Sequence, residues 1–281
     1  MKKILVPTDF SENALNALIY AAHLCELQKC EFQIMHAYAD EVYRKEALQA
    51  NQDLEAIKAG EREAVDRNFE ALRKKLHQRS PKLGHRFTFV PVYASLVDGV
   101  NDWVTQEDVD LIVMGTRGAA NNRGHTFGSN TLQVLKYAHC PVLAVPEGYN
   151  HKTIERMLFP TNYLVPYKMR ELQLLGQITS TSIAKIHVLY IDPIAKLSAR
   201  QSENKKLLEK YLAASQISFG TTEEKDKTLA ITKHVVHHKT DLLVIVNSRH
   251  SYMEDMLQQS TIDQLGLHIK IPFLVLQNIM R

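Results

Sequence analysis

The sequence predicts an α/β protein made of two tandem five-stranded parallel sheets, each with helices on both faces. Three observations support this fold class: apolar strands alternate with helical stretches, several strands are apolar throughout, and segments of the first half recur in the second. The chain has 281 residues, about twice the usual length of one domain. We therefore expect two domains, residues 1–148 and 152–281, joined by a polar link that contains glycine.

The first half alternates strands and helices in a regular order. Strands are predicted at residues 3–8, 32–38, 86–93, 111–115 and 141–146, and helices at 13–28, within 41–79, near 97–106 and after Gly128. Five strands separated by helices indicate a parallel sheet covered on both faces. The strands LIVMG and VLAVP are apolar throughout rather than alternating, which indicates burial on both sides.

Internal repeats locate the second copy. KILVPTD at residues 3–9 aligns with RMLFPTN at an offset of 153, whereas DLIVM and CPVLAVP align with DLLVI and IPFLVLQ at an offset of 131. The second copy therefore lacks residues between its first and fourth strands, and its helix near residues 199–215 should be shorter than the charged helix of the first copy. We expect the last strand, 272–277, to pair antiparallel with 141–146, because uncovered edge strands invite association.

The composition excludes several classes of protein. Hydrophobic residues make up 45% and charged residues 23%, and a net charge of +3 without a long basic run argues against a nucleic-acid partner. The three cysteines, Cys25, Cys30 and Cys140, show no CxxC spacing, which fits a reducing cytoplasm. We expect Cys25 and Cys30 to be small buried apolar residues rather than redox partners. No secretory segment and no apolar span of about 18 residues is expected, so we predict neither export nor a membrane span.

The segment MGTRGAANNRGHTFGSNT, residues 114–131, carries the clearest functional signal. It joins a buried strand to a helix and contains three spaced glycines, Gly115, Gly118 and Gly128. Glycines allow positive φ and close approach of the backbone to a ligand, and the N–H groups at a helix N-terminus attract anions. The hydroxyls of Ser129 and Thr131 supply further donors. The alternative is a tight turn in which Ser129 only caps the helix.

The first strand delivers Pro-Thr-Asp to the same edge of the predicted sheet. In open α/β sheets, ligands bind in the crevice at the carboxyl ends of the strands. The carboxylate of Asp9 is therefore placed to accept hydrogen bonds from a ribose hydroxyl or a base amine. Phosphate donors and a ribose acceptor at one edge together indicate a nucleotide.

PTDFS at residues 7–11, together with the spacing G-x2-G-x9-G-S, resembles the universal stress protein family, and specifically a tandem two-domain member. The resemblance implies strand order 3-2-1-4-5, pairing of the domains through their last strands, and binding of ATP with or without Mg²⁺. It implies contacts to adenosine from Pro7, Thr8, Asp9 and the backbone of Ala37, contacts beneath the nucleotide from Met114 and Gly115, and contacts to the phosphates from Gly118, Gly128, Ser129, Asn130 and Thr131. Arg117, Arg123 and His125 are candidate cationic contacts.

The second copy lacks most of these features. Asp9 is replaced by Asn162, and the three glycines are replaced in gap-free alignment by Val246, Arg249 and Gln259. The side chains at these positions then block the approach of a phosphate to the backbone N–H groups, and positive φ is costly for valine. We expect one nucleotide site per chain, in the first half, and a second half that acts as a built-in dimerisation partner.

Three functions follow from this pattern. The first is a cytoplasmic stress-response protein that binds ATP in its N-terminal domain and acts as a nucleotide-dependent sensor or interaction module. The second is a slow ATPase or nucleotidyl-transferring enzyme, for which at most weak hydrolysis is expected, because the glycines are not followed directly by the lysine of a Walker motif and no general base or pair of carboxylates for a metal is evident. The third is a nucleotide-free scaffold. Association of two chains into a homodimer remains open.

Three histidines of the second half are candidate metal ligands. His234, His237 and His238 recur at helical spacing with Asp241 nearby. A solvated or boundary helix face is the expected interpretation, and no metal is expected.

Overall fold

The computed structural model describes residues 2–48, 53–79, 84–116, 128–149, 153–191, 196–224, 226–247 and 270–278. The chain divides into two compact units, with the described residues up to 140 in the first and those from 141 onward in the second. The domain limits 1–148 and 152–281 describe the sequence repeat and stay a prediction. Among the described residues, none of the helices has both the length and the apolar character needed to cross a membrane.

The first unit contains four parallel strands and five helices within its described residues. They are β1 (Lys2–Pro7), α1 (Glu12–Leu24), β2 (Cys30–Ala37), α2 (Ala39–Leu48), α3 (Leu54–Arg79), β3 (Arg86–Val92), α4 (Leu96–Glu107), β4 (Leu111–Gly115) and α5 (Ser129–Tyr137). The strands lie in the order β3-β2-β1-β4. Every residue of β4 is buried, as the unbroken apolar run LIVMG predicts for a central strand.

Two helices of the first unit differ from the prediction. The sequence predicts one long helix within 41–79; α3 is that helix, and the separate helix α2 before it is not predicted. The sequence predicts that the first helix reaches residue 28, whereas α1 ends at Leu24. The N–H of Gln28 donates to the carbonyl of Cys25 at 2.8 Å, so these residues form the turn into β2 although their apolar pattern continues that of the helix.

The second unit repeats this arrangement and adds β5. Its elements are β5 (Val142–Val145), β6 (Arg156–Thr161), α6 (Met169–Ser182), β7 (Lys185–Tyr190), α7 (Ala199–Tyr211), β8 (Gln216–Thr221), α8 (Lys227–His237), β9 (Leu242–Asn247) and β10 (Phe273–Gln277). β10 pairs antiparallel with β5, with Leu274 opposite Leu143, and parallel with β9. The strand order 3-2-1-4-5 of each half and the pairing of the last strands are confirmed. α7 has 13 residues and α3 has 26. The prediction that the helix of the second copy is the shorter one is therefore confirmed.

The turn after the first strand has the same geometry in both copies. The Oγ1 of Thr8 accepts a hydrogen bond from the N–H of Phe10 at 3.0 Å, and the Oγ1 of Thr161 accepts one from the N–H of Tyr163 at 2.9 Å. Phe10 and Tyr163 both adopt a positive φ, 61° and 57°. The Pro-Thr sequence therefore specifies a particular turn, which the duplication has kept.

A buried carboxyl group connects α6 to β10 in the second unit. Glu171 is 6% exposed, and its Oε1 accepts a hydrogen bond from the backbone N–H of Gln277 at 3.0 Å. Burial raises the pKa of Glu171 to about 7, although the charge of Lys168 and the hydrogen bond from Gln277 act in the opposite direction. The folded protein therefore holds this group in its neutral form more readily than the unfolded chain does.

Glu171→Gln is expected to stabilise the protein near pH 8 by about 1–2 kcal/mol. An unfolded glutamate, with an ordinary pKa of 4.5, releases its proton before the folded one does, so stability falls as the pH rises from about 4.5 to 7. Glutamine keeps an acceptor oxygen and removes the charge, and the advantage should disappear near pH 4. Urea unfolding at both pH values measures the effect, with the exposed Glu203→Gln as the control. A variant no more stable than the wild type near pH 8 would show that the buried charge of Glu171 does not lower the free energy of unfolding.

Candidate functional site

The carboxyl ends of β1, β2 and β4 lie at one edge of the first sheet. Continuing the register between β1 and β4 places Pro7 level with Met114 and Thr8 level with Gly115. All four residues are buried. The structure thus brings the two strand-end motifs together as predicted and places these residues beneath the surface of the edge.

Asp9 lies in the turn that leads from β1 into α1. Its Oδ1 accepts a hydrogen bond from the N–H of Ser11 at 3.1 Å, and the Oγ of Ser11 in turn caps α1 by accepting one from the N–H of Ala14 at 3.1 Å. The side chain of Asp9 is partly exposed. The turn therefore holds a carboxylate at the edge, within reach of solvent.

Ala37 ends β2 and lies level with Val92 of β3. It is partly exposed and lies beyond the last residue pair between β1 and β2. The neighbouring His36 is buried; its Nδ1 is 2.7 Å from the carbonyl oxygen of Thr8, and its ring centroid is 4.6 Å from that of Phe10. His36 therefore packs as a polar core residue, and Ala37 is the residue of this strand end that faces the edge.

Gly115 is required by packing rather than by backbone conformation. A Cβ atom at this position would lie 2.6 Å from Nδ2 and 3.2 Å from the backbone oxygen of Asn13, which is buried in the first turn of α1. The glycine spacing instead predicts positive φ at the end of this strand. Among the described glycines, positive φ occurs at Gly148 alone, so Gly115 serves to let α1 approach β4.

Thr131 connects α5 to β4. Its Oγ1 donates a hydrogen bond to the carbonyl oxygen of Gly115 at 2.8 Å, and the residue is 2% exposed. The hydroxyl that the sequence assigned to a phosphate is therefore used within the protein. A contact from Thr131 to an anion would have to come from its backbone N–H.

Gly128 is the N-cap of α5, with φ −68° and ψ 157°. Its N–H donates to the carbonyl oxygen of the buried Thr116 at 2.8 Å. The end of β4 and the start of α5 are thus held side by side. Ser129 is the first helical residue rather than the cap, which differs from the alternative that the sequence left open. Neither Asn13 nor Thr116 was identified from the sequence, because their partners are distant along the chain.

The start of α5 presents three consecutive N–H groups. The first hydrogen bond within the helix runs from the N–H of Leu132 to the carbonyl of Gly128 at 3.0 Å. The N–H groups of Ser129, Asn130 and Thr131 precede it, and none of them has a partner among the described residues. Ser129 and Asn130 are exposed, and the first turn contains no acidic residue. This arrangement suits an anion, which gains both the hydrogen bonds and the helix dipole.

Part of the predicted site lies outside the described residues. This applies to the candidate phosphate contacts Arg117, Gly118, Arg123 and His125, and to Arg249 and Gln259 of the second copy.

The corresponding edge of the second unit is filled by its own side chains. Val246 stands where β4 has its glycine and is 9% exposed. From α7, the Nε2 of Gln201 donates to the carbonyl of Asn162 at 2.8 Å, and the Nδ2 of Asn204 donates to the carbonyl of Tyr163 at 2.7 Å. These side chains cover the turn that follows β6.

The histidines of α8 form a stack. His234 and His238, the residue that follows α8, stack with centroids 4.0 Å apart, and His187 of β7 lies 4.6 Å from His234 with its ring tilted by 13°. His237 is not part of the stack. The lone pair of an imidazole nitrogen lies in the plane of its ring, so the nitrogens of stacked rings do not point at one common metal ion. Among the described residues, no group of His, Cys, Asp or Glu could hold a metal ion.

This stack is expected to make the protein less stable as the pH falls from about 6.5 to 4. Burial, followed by the neighbouring histidines, lowers the pKa of His234 to about 4 from an ordinary 6.5, and burial also lowers the pKa of His187. The unfolded chain therefore takes up protons that the folded chain excludes. His234→Phe should reduce the loss of stability between pH 7 and pH 5 by about 1 kcal/mol, measured by urea unfolding. The exposed His237→Phe is the matched control, and an equal pH dependence of the two variants would contradict the prediction.

The half that carries these features also matches a known family. Residues 1–146 match the model of the universal stress protein family. Two universal stress proteins of Methanocaldococcus jannaschii, MJ0531 and MJ0577, are each 28% identical to this chain, over 149 and 155 residues. Each alignment covers 51% of this chain, and they cover 81% and 94% of the two relatives.

Solved structures resemble the whole chain. A universal stress protein from Archaeoglobus fulgidus has a TM-score of 0.66 at 16% identity, with 98% of this chain and 96% of the other covered. A functionally unknown protein from Pseudomonas aeruginosa, PA1789, has a TM-score of 0.55 at 14% identity, with 99% and 92% covered. At these identities the comparison shows a shared fold, and it extends over both halves.

Proposed function

The chain belongs to the universal stress protein family, and on that premise we propose that its first half binds ATP at the edge formed by β1, β2, β4 and the start of α5. The observation that carries the proposal is the row of three N–H groups at Ser129, Asn130 and Thr131 beside the end of β4. Charge-assisted hydrogen bonds of this kind contribute roughly 1.5–3 kcal/mol each. Together they suit a polyanion.

The rest of the edge suits a nucleoside. The carboxylate of Asp9 accepts hydrogen bonds from ribose hydroxyls, and the backbone of Ala37 offers groups to adenine. Pro7 and Met114, both buried, form the floor of the proposed nucleotide site. Mg²⁺ would reach this edge on the phosphates of ATP, since it is usually held by phosphate oxygens and only one or two carboxylates.

Binding, rather than turnover, is the proposed activity. No lysine comes directly after a glycine in residues 114–131, so the lysine that a phosphoryl-transfer loop places on the phosphates is missing. We expect at most weak hydrolysis. A bound nucleotide would then act as a signal that this cytoplasmic protein passes to partners through its conformation.

The second half serves in this proposal as an internal partner without a nucleotide. Val246 and the side chains from α7 occupy the equivalent edge. The antiparallel pair of β5 and β10 supplies the contact that separate domains would make as a dimer.

Calorimetric titration of the full chain with ATP, ADP and AMP tests the proposal. We expect one ATP per chain, bound at least about tenfold more tightly than AMP, because the phosphates carry the binding. Two nucleotides per chain would contradict the assignment of the second half. No heat with any nucleotide would favour a scaffold, and phosphate release well above a blank would favour an enzyme.

A further inference from the structure

The outer edge of β8 is an open strand edge in the second unit. β8 pairs parallel with β7 on one side, and no strand among the described residues pairs with its other side. Every residue of β8 is at least partly exposed, and Gln216, Ser218 and Thr221 are the most exposed. An open edge presents unpaired N–H and C=O groups, which can pair with another strand.

The equivalent strand of the first unit, β3, has two protective residues that β8 lacks. The strand register, followed outward from the first strand of each copy, aligns Arg86 with Gln216 and Pro91 with Thr221. Charged side chains and prolines are the usual means of protecting an edge strand from pairing with other chains. β8 contains neither a charged residue nor a proline, so the second copy lacks both protections.

Pro91 also indicates which backbone groups of the edge point outward. A proline in a paired strand stands where the N–H position faces away from the neighbouring strand. The carbonyl of the next residue, Val92, points inward and accepts a hydrogen bond from the N–H of the residue that follows β2, at 3.0 Å. Because the backbone groups of successive residues alternate in direction and β8 has the same register with β7, the outward-facing residues of β8 are Ile217, Phe219 and Thr221.

We propose that the outer edge of β8 binds the same edge of a second copy of this chain, as an antiparallel pair about a two-fold axis at Phe219. With the axis there, Phe219 lies opposite its counterpart, and Ile217 lies opposite Thr221. The outward groups of all three residues then meet in register, and residues opposite each other exchange two hydrogen bonds. Such a contact closes at two chains, and the protected edge of β3 does not extend it.

The charges on either side of β8 favour the antiparallel arrangement with a second copy. Residues 205–210, before the strand, contain three lysines and one glutamate, and residues 222–226, after it, contain three acidic residues and one lysine. An antiparallel pair places the acidic end of one copy beside the basic end of the other. A parallel pair would place like charges together. The chain therefore carries both halves of a complementary contact.

Sedimentation velocity of the full chain over a range of concentrations tests this proposal. We expect an equilibrium between monomers and dimers. Hydrogen exchange at low and high protein concentration should be slower at high concentration in peptides that cover residues 216–221 and unchanged in those that cover 86–92. A chain that stays monomeric at every concentration, species larger than a dimer, or protection of a different segment would overturn the proposal.

Thr221→Pro copies the protection of the first unit into the second. It should raise the dissociation constant of the dimer about tenfold or more, because the two-fold axis makes one substitution remove two hydrogen bonds. Pro91 shows that proline at this position is compatible with pairing to the inner strand, so urea unfolding should show an intact fold. Ala199→Pro, at the exposed first position of α7, where proline is tolerated, is the control. A Thr221→Pro protein that dimerises as tightly as the wild type, or an equal loss in both variants, would contradict the assignment.

Discussion

Replacing Gly115 by valine is expected to lower the free energy of unfolding by roughly 3 kcal/mol. Even a single Cβ at this position would lie 2.6 Å from the Nδ2 and 3.2 Å from the backbone oxygen of Asn13. Asn13 is buried, so its side chain cannot simply swing away, and the backbone oxygen moves only if α1 moves. Gly115→Ala should show a smaller loss in the same direction.

The matched control for this substitution is Gly60→Ala. Gly60 is exposed within α3, and a Cβ there would meet no atom within 4 Å. Because glycine is a poor helix former, this change should stabilise the protein by about 0.5–1 kcal/mol. Urea unfolding of the variants measures the effects. A Gly115→Val protein as stable as the wild type would mean that α1 can shift away from β4 at little cost.

Ser129→Glu is expected to weaken ATP binding roughly 100-fold, about 3 kcal/mol, while leaving the fold intact. Ser129 is exposed at the first position of α5, where a carboxylate favours the helix dipole by about 0.3–1 kcal/mol. The same carboxylate repels the phosphates and competes for their N–H donors. A variant that is at least as stable as the wild type but binds ATP poorly would separate binding from folding.

Gln133→Glu is the control for the charge itself. Gln133 is exposed on the same helix, beyond the three N-terminal N–H groups. It receives the same change of charge and should keep nearly the wild-type affinity, measured by the same calorimetric titration. Equal affinities in the Ser129 and Gln133 variants would place the phosphates elsewhere.

Most of the fold could be predicted from the sequence because its signals are local and repeated. A strand buried on both faces requires an unbroken apolar run such as LIVMG, and the repeat offsets fix which segments play equivalent roles. The separate helix α2 before the long helix α3, and the end of α1 at Leu24, do not follow from the sequence. Helix boundaries depend on turns and caps that hydrophobic periodicity reports poorly.

The site could be predicted in position but not in the role of each residue. Parallel strands end at one edge, so the meeting of the Pro-Thr-Asp motif with the end of β4 follows from topology. The partners of Gly115 and Thr131 depend on packing between distant segments: Asn13 comes from α1, and the Thr131 hydroxyl turns back to β4. For the same reason the sequence grouped His237 with the α8 histidines, whereas the stack takes its third ring from β7.

Hydrogen exchange of the full chain, with and without ATP, measures how strongly the backbone N–H groups on which the proposed function depends are protected from solvent. We predict that ATP slows exchange in peptides that cover residues 8–13 and 128–132 and leaves those that cover 161–165 and 242–247 unchanged. Slower exchange around Val246, or no change at the start of α5 under saturating ATP, would contradict the assignment of the nucleotide to the first half.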